Sequence, residues 1–271
     1  MVGLYPENLK EAVFMKFNST EAKLYAGGTD FMVRHAPCEK LLFLNQLQEL
    51  KKIYTDKEYL YIGSCCTYID LLNNDLIPEI LKKAVRGIAA PAIKNAGTIG
   101  GNICNASPAG DTLPVLYALE AEVVLISVSG ERILPVQEFI LGVRKLAILD
   151  TEIVKEIKIP QKDFAVTYYQ KVGARKSQAL SKLSFAALAD IKENRITDLR
   201  IAFGSVSTAT VKRKDLEVRY TGLTREEMKE KLDSIQSDYN TYITPIDDQR
   251  STAAYRTKIC MNLLKDFITS L

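Results

Sequence analysis

Residues 97–111 read Gly-Thr-Ile-Gly-Gly-Asn-Ile-Cys-Asn-Ala-Ser-Pro-Ala-Gly-Asp, and this stretch constrains the chain more than any other. Four glycines, two asparagines, a threonine, a serine and an aspartate stand between two apolar, helix-like segments. Such a composition packs little core of its own and reads as a loop. Glycine lets a backbone approach a ligand closely and admits positive φ. Successive free N–H groups in such a loop form a nest for an anion. The short polar side chains offer hydrogen bonds to hydroxyls or ring edges, and Asp111, acceptor-only when ionised, suits a polyol or ribose. A long turn between two elements is the plain alternative, because a glycine motif on its own specifies little.

Residues 24–30, Leu-Tyr-Ala-Gly-Gly-Thr-Asp, supply a second loop of the same character. A short apolar run ends in Gly27-Gly28, and Thr29 or Asp30 then stands where a side chain can cap backbone N–H groups. An ordinary tight turn would look the same if it stood alone.

The bulk properties exclude several classes. At 271 residues the chain is long enough for two or three subdomains. Its 36 Lys and Arg against 33 Asp and Glu give a net charge of +3, and the basic residues are dispersed, so no nucleic-acid footprint is expected. No apolar run is long enough to span a bilayer, and the N-terminal residues lack the regions of a signal peptide, so a cytoplasmic location is expected. The five cysteines, at 38, 65, 66, 104 and 260, form no Cys-x-x-Cys and read as reduced thiols. Ungrouped cysteines argue against an iron–sulfur cluster held by this chain alone. The single histidine, His35, excludes a histidine-rich metal site and reads as a loop or surface residue. There is no P-loop and no Gly-x-Gly-x-x-Gly.

Periodicity gives the element order. A helix is predicted over 7–16, with Leu9, Val13, Phe14 and Phe17 as its apolar positions. Strands are predicted at 24–26 and 41–44, making a small α/β lobe to about residue 55. A strand at 59–64 and helices at 67–72, 78–88 and 111–119 follow. A strand at 121–128 turns through Ser129-Gly130-Glu131 into 132–136 as a hairpin. A strand at 152–159 alternates through Ile153, Lys155, Ile157 and Ile159 and ends at Pro160. The boundary between two domains is expected at Pro160-Gln161-Lys162-Asp163. Beyond it, strands are expected at 165–171, 182–193 and 195–203. Thr224-Arg225-Glu226-Glu227 is a capping box opening a helix to about Ile235, and 252–271 is an amphipathic helix with Ile259, Leu263, Leu264 and Phe267 inward.

Taken together, Ala26-Gly27-Gly28-Thr29-Asp30, Thr98-Ile99-Gly100-Gly101-Asn102 and Ser107-Pro108-Ala109-Gly110-Asp111 resemble the FAD-binding subunits of molybdenum hydroxylases. That family includes xanthine dehydrogenases, nicotinate dehydrogenase and the carbon monoxide dehydrogenase medium subunit. Pro91-Ala92-Ile93-Lys94-Asn95, Tyr169 to Lys176, Ala202 to Val206, and Asp248-Gln249-Arg250-Ser251 through Tyr255-Arg256 extend the resemblance nearly end to end, although arginine is commoner than lysine at position 94.

The resemblance implies an α+β chain: a PCMH-type FAD-binding domain over 1–160, built of subdomains at about 1–55 and 56–160, then a C-terminal α+β domain over 161–271. For the cofactor it implies Ala26, Gly27, Gly28, Thr29 and Asp30 about the pyrophosphate, with the Asp30 side chain turned away or capping the loop. Thr98, Gly101 and Asn102 would also line the cofactor, Asn105 and Ser107 would lie near the ribityl chain and phosphates, and Asp111 would bond hydroxyls. Ile153 and Val154 would pack by the ring, and Lys171 would stand near its pyrimidine edge, where a cation raises the flavin's potential. An exposed strand lysine is the alternative for Lys171. Ile88 matches a position that is aromatic in some relatives. Glu152 and Arg175 read as structural or interface groups.

For function, the resemblance implies an oxidoreductase subunit with no catalytic side chain of its own. Electrons would pass from a molybdenum cofactor on a large subunit through [2Fe–2S] clusters on a small subunit to FAD, and on to NAD+ or another acceptor. The partners would form a hetero-oligomer, a dimer of heterotrimers. A stand-alone flavin oxidase or reductase of the broader fold, like vanillyl-alcohol oxidase or the cell-wall enolpyruvyl reductase, is one alternative; a non-catalytic scaffold is the other.

Overall fold

The computed structural model describes residues 2–34, 38–175 and 178–271, and the chain divides into two compact units. The first comprises Met1–Pro78, Ala89–Ser107 and Glu120–Gln161; the second comprises Glu79–Ile88, Pro108–Leu119 and Lys162–Leu271. His35 and Lys176 lie outside the described residues.

Two sheets build the first unit. A parallel three-stranded sheet places Lys40–Phe43 between Val2–Leu4 and Lys23–Tyr25. Parallel neighbours need crossovers, and the helices Leu9–Asn18 and Phe31–Arg34 supply them. Asn8 caps the first of these by accepting from Glu11 N. Its buried positions are Leu9, Ala12, Val13 and Lys16, a stripe at i, i+3, i+4 and i+7. Phe14 and Phe17, counted with Leu9 and Val13 as its apolar positions, are on the other side and 61% and 48% exposed. Lys16 is buried instead because its ammonium reaches two carbonyls, Thr20 O at 2.7 Å and Ala22 O at 2.9 Å.

The second sheet is antiparallel and five-stranded, in the order Ile53–Thr55, Tyr59–Gly63, Ile153–Pro160, Glu122–Ser127, Gly130–Pro135. The expected hairpin pairs Ser127 with Gly130. The expected alternation of Ile153–Pro160 is interrupted by a register shift between Val154 and Glu156, which leaves Lys155 as the inserted residue. Ile153 and Val154, before the shift, are both buried, at 0% and 4% exposure.

An antiparallel four-stranded sheet organises the second unit: Val166–Gly173, Ser181–Lys192, Arg195–Gly204 and Val211–Lys212. Its tight hairpin turns on Glu193 and Asn194, both left-handed at φ 48° and 63°, the conformation that matches strand twist. Phe185, Phe203 and Phe267 are fully buried in one cluster with Leu264, Tyr239 and Met228. The helix Ala253–Ser270 contributes Cys260, Leu263, Leu264 and Phe267 to it.

Thr224 and Glu227 form the capping box, but the helix pauses at Lys231, giving Arg225–Glu230 and Leu232–Asn240. The helix Lys214–Tyr220 has no counterpart in the sequence reading. Glu79–Arg86 and Leu113–Ala118 also belong to this unit; Gly204 lies so close to the second that a Cβ there would sit 2.7 Å from Pro114 Cγ.

Candidate cofactor cleft

The first unit contains a cleft of about 430 Å³ lined by both glycine segments. It opens where the strand Lys23–Tyr25 gives way to Ala26–Asp30, at the edge of the parallel sheet. Gly28 has φ +69°, a left-handed conformation that glycine adopts without strain. Gly27 packs so tightly on the other segment that a Cβ would lie 1.9 Å from Ala96 O.

Among the described residues, none accepts a hydrogen bond from the backbone N–H of Gly27, Gly28, Thr29 or Asp30. Four successive free donors on a cleft wall are the chemistry of an anion nest.

The segment 97–111 is not a loop throughout. Ile99–Asn105 is a helix, capped by Thr98, whose Oγ1 accepts from Gly101 N at 3.0 Å. Glycine lowers helix propensity, and here Ile99 and Ile103, one turn apart and fully buried, hold the helix in place. Its leading donors are engaged: Ile99 N with Cys66 O, Gly100 N with Ser64 O, and Asn102 N with Thr98 O, each at 3.0 Å. The unpaired row expected here is thus found at 27–30. What 98–105 offers the cleft is close backbone and side-chain amides.

Thr98, Gly101, Asn102, Asn105 and Val154 line the cleft together with Ala26–Asp30. Asp30 turns to Arg34 and Asn105: Arg34 Nε is 2.5 Å from Oδ2, and Asn105 Nδ2 donates to Oδ1 at 3.2 Å. Ile153 faces away from the cleft into the core with Leu9, Leu42 and Leu50, as neighbours on a strand point to opposite sides. Ser107 is in the first unit but not on the cleft.

Ile88, Asp111 and Lys171 belong to the second unit, where Asp111 and Lys171 meet. Lys171 Nζ lies 2.6 Å from Asp111 Oδ2 and donates to Gly87 O at 2.9 Å. Ser181 Oγ donates to Asp111 Oδ1, and Tyr169 OH to the backbone oxygen of Asp111 at 3.3 Å. Burial pushes the Asp111 carboxyl above the ordinary aspartate range, against the opposing pull of Lys171. Ile88 is buried just after the helix Glu79–Arg86.

Sequence reasoning passed over Tyr25, Phe31, Arg34, Ser64, Tyr68 and Cys104 as lining residues. Ser64 is on the cleft, and its Oγ is enclosed beside the Cys65 thiol. Its position directly after a strand-ending glycine was the available signal. Glu152 is held by Arg132, with Nε–Oε1 at 2.5 Å and Nη2–Oε2 at 2.7 Å, which makes it structural. Burial pushes the thiols of Cys65 up to about 11 and of Cys104 up to about 12, so neither is a nucleophile near neutral pH.

Among the described residues no three His, Cys, Asp or Glu gather as a metal ion requires, and no helix is long and apolar enough to cross a membrane. The free N–H row and the amide-bearing helix fit a phosphate-bearing nucleotide of the FAD type.

Residues 3–162 match the family described as the FAD binding domain in molybdopterin dehydrogenase, and residues 168–271 match the CO dehydrogenase flavoprotein C-terminal domain. The glyceraldehyde dehydrogenase medium chain of Sulfolobus acidocaldarius is 30% identical over 93% of this chain and 92% of its own length. The carbon monoxide dehydrogenase medium chain of Hydrogenophaga pseudoflava is 27% identical over 96% and 93%. A solved structure of the carbon monoxide dehydrogenase from Hydrogenophaga pseudoflava lacking the Mo-pyranopterin moiety superposes with a TM-score of 0.90 at 25% identity, covering 99% of this chain and 96% of that one.

Proposed function

The chain belongs to the family of FAD-binding domains of molybdopterin dehydrogenases, and from that premise we propose that it is the electron-transferring flavin subunit of a multi-subunit molybdenum hydroxylase. Its partners are an iron–sulfur small subunit and a molybdopterin large subunit, arranged as a dimer of heterotrimers in the cytoplasm. Residues 1–160 are the cofactor domain and 161–271 the C-terminal domain. When bound, FAD supplies the redox chemistry, linking partner [2Fe–2S] clusters, fed from the molybdenum cofactor, to NAD+ or another acceptor.

The observation that carries the reading is the unpaired N–H row of Gly27, Gly28, Thr29 and Asp30 on the cleft wall. These groups would donate to the pyrophosphate with little conformational cost, because the loop already holds them in place. Thr98 keeps its Oγ1 on Gly101 N and so fixes the start of the helix against the cleft. Asn102 lines the cleft beside the ligand's polar chain, Asn105 holds Asp30 and Arg34 there, and Val154 gives an apolar wall. Ser107, Asp111, Lys171, Ile88 and Ile153 are assigned to the cofactor by resemblance. No acid or base from this chain is required, since the groups position and tune the ligand.

The test is purification with co-purifying chains, an absorption spectrum, and identification of released flavin, iron and molybdenum. FAD on this chain, with [2Fe–2S] clusters and molybdenum on partners, supports the proposal. A solitary redox-active flavoprotein overturns it in favour of a stand-alone flavoenzyme, and a complex without flavin in favour of a scaffold.

A further inference from the structure

Arg34 stands one helical turn after Asp30 and lines the same cleft as Ala26–Thr29. Three side chains close a ring there. Arg34 Nε is 2.5 Å from Asp30 Oδ2, Arg34 Nη2 donates to Asn105 Oδ1, and Asn105 Nδ2 donates to Asp30 Oδ1 at 3.2 Å. The ring ties the helix Phe31–Arg34 to the last residue of the helix Ile99–Asn105, and so joins the two glycine segments.

A nest built for a doubly charged pyrophosphate has a carboxylate within it, because Asp30 supplies both a free N–H and a negative side chain. Left alone, that charge would repel the ligand that the neighbouring N–H groups attract. Both carboxylate oxygens are engaged, Oδ2 by the guanidinium and Oδ1 by the amide. Arg34 therefore faces the one acidic group, among the described residues of the cleft, that works against the nest.

We propose that Arg34 is a positioning residue for the cofactor's pyrophosphate and acts through Asp30, cancelling its charge and holding it off the free N–H row. The inference rests on the reading of the cleft as an FAD site. It makes a specific claim: the need for Arg34 exists only while residue 30 is acidic.

The experiment is FAD titration of the deflavinated full-length chain, read by quenching of flavin fluorescence, for the wild type, Arg34→Ala, Asp30→Asn and the double variant. Arg34→Ala is expected to raise the dissociation constant by about tenfold or more, and the defect should shrink at high ionic strength as the repulsion is screened. In the double variant the constant should return to within about threefold of the wild type, since the uncancelled charge is gone. Arg34→Gln, which keeps a donor for Asn105 but no charge, should behave as Arg34→Ala does and guards against a folding artefact. Wild-type affinity in Arg34→Ala overturns the proposal. So does a double variant as weak as Arg34→Ala, because Arg34 would then act by direct contact or by structure alone. A wild-type chain that binds no FAD overturns the cofactor reading itself and this inference with it.

Discussion

Lys171 Nζ and Asp111 Oδ2 lie 2.6 Å apart across 60 residues of sequence, and both side chains are largely out of solvent. An ion pair so placed is costly to break from one side, because the remaining charge stays buried. The pair joins the strand Val166–Gly173 to the segment leading into Leu113–Ala118.

The pH dependence follows from the raised Asp111 carboxyl. A carboxyl whose folded pKa exceeds its unfolded value binds its proton more readily when folded, so its contribution to stability falls as pH rises from the ordinary aspartate value through the raised one. Lys171→Met removes the group that opposes the shift. The variant is expected to lose about 3 kcal/mol near pH 8 and clearly less as the pH falls and the raised Asp111 carboxyl takes up its proton. Urea unfolding followed by circular dichroism across that range checks it, and a pH-independent loss would contradict it.

Two glycines of the cleft should separate binding from folding. Gly101 is exposed, and an added Cβ would meet only Thr98 Oγ1, at 2.9 Å. Gly101→Val should lower FAD affinity by about a hundredfold, with a change in folding stability of about 1 kcal/mol or less. Gly27→Ala would drive a Cβ to within 1.9 Å of Ala96 O and should cost about 3 kcal/mol in folding stability. FAD titration beside thermal unfolding distinguishes the two, and undiminished stoichiometric flavin in Gly101→Val would refute the placement of the cofactor.

Glu217 is a second buried carboxylate with a defined task. It accepts from Ile201 N at 2.8 Å and pairs with Lys212 Nζ at 3.1 Å, with both side chains almost fully enclosed. Glu217→Ala should destabilise by about 3 kcal/mol, and Glu217→Gln by less, since the amide oxygen can still accept from Ile201. Equal losses in the two variants would count against this account.

At the surface, Thr224 holds the start of the helix Arg225–Glu230 with Oγ1 accepting from Glu227 N at 3.1 Å, while Glu227 Oε2 accepts from Thr224 N at 2.7 Å. Thr224→Ala should cost about 1 kcal/mol and Thr224→Ser almost nothing, measured by urea unfolding.

These features differ in how far they could be read from the chain. The capping box at Thr224 was legible because both of its bonds span three residues. The hairpin about Asn194 and the amphipathic run 252–271 were legible for the same reason: their signals are local. The helix Ile99–Asn105 was not, since its glycines argue against helix and only the burial of Ile99 and Ile103 decides for it. Phe14 and Phe17 misled the reading of Leu9–Asn18, because apolar spacing cannot tell which face will find a sheet. Arg34 was hidden by being an ordinary i+4 partner of Asp30, and its meaning depends on Asn105, brought from the other glycine segment.

The sequence by itself determined the backbone chemistry of the cleft: where glycine permits a positive φ or a close approach, where caps and turns fall, and which residue types stand ready for an anion. Those properties depend on a few neighbouring residues and survive in any fold that contains them. Only the tertiary structure decided which groups are free and which are spent. It left the N–H row at 27–30 open while engaging the leading donors at 99–102. It paired Asp111 with Lys171 and placed Glu79–Arg86 and Leu113–Ala118 with the C-terminal sheet. A period in the sequence states that a face must be buried. What covers that face is set by the joint packing of distant segments, and so is the dielectric around each charge and the partner left for each donor.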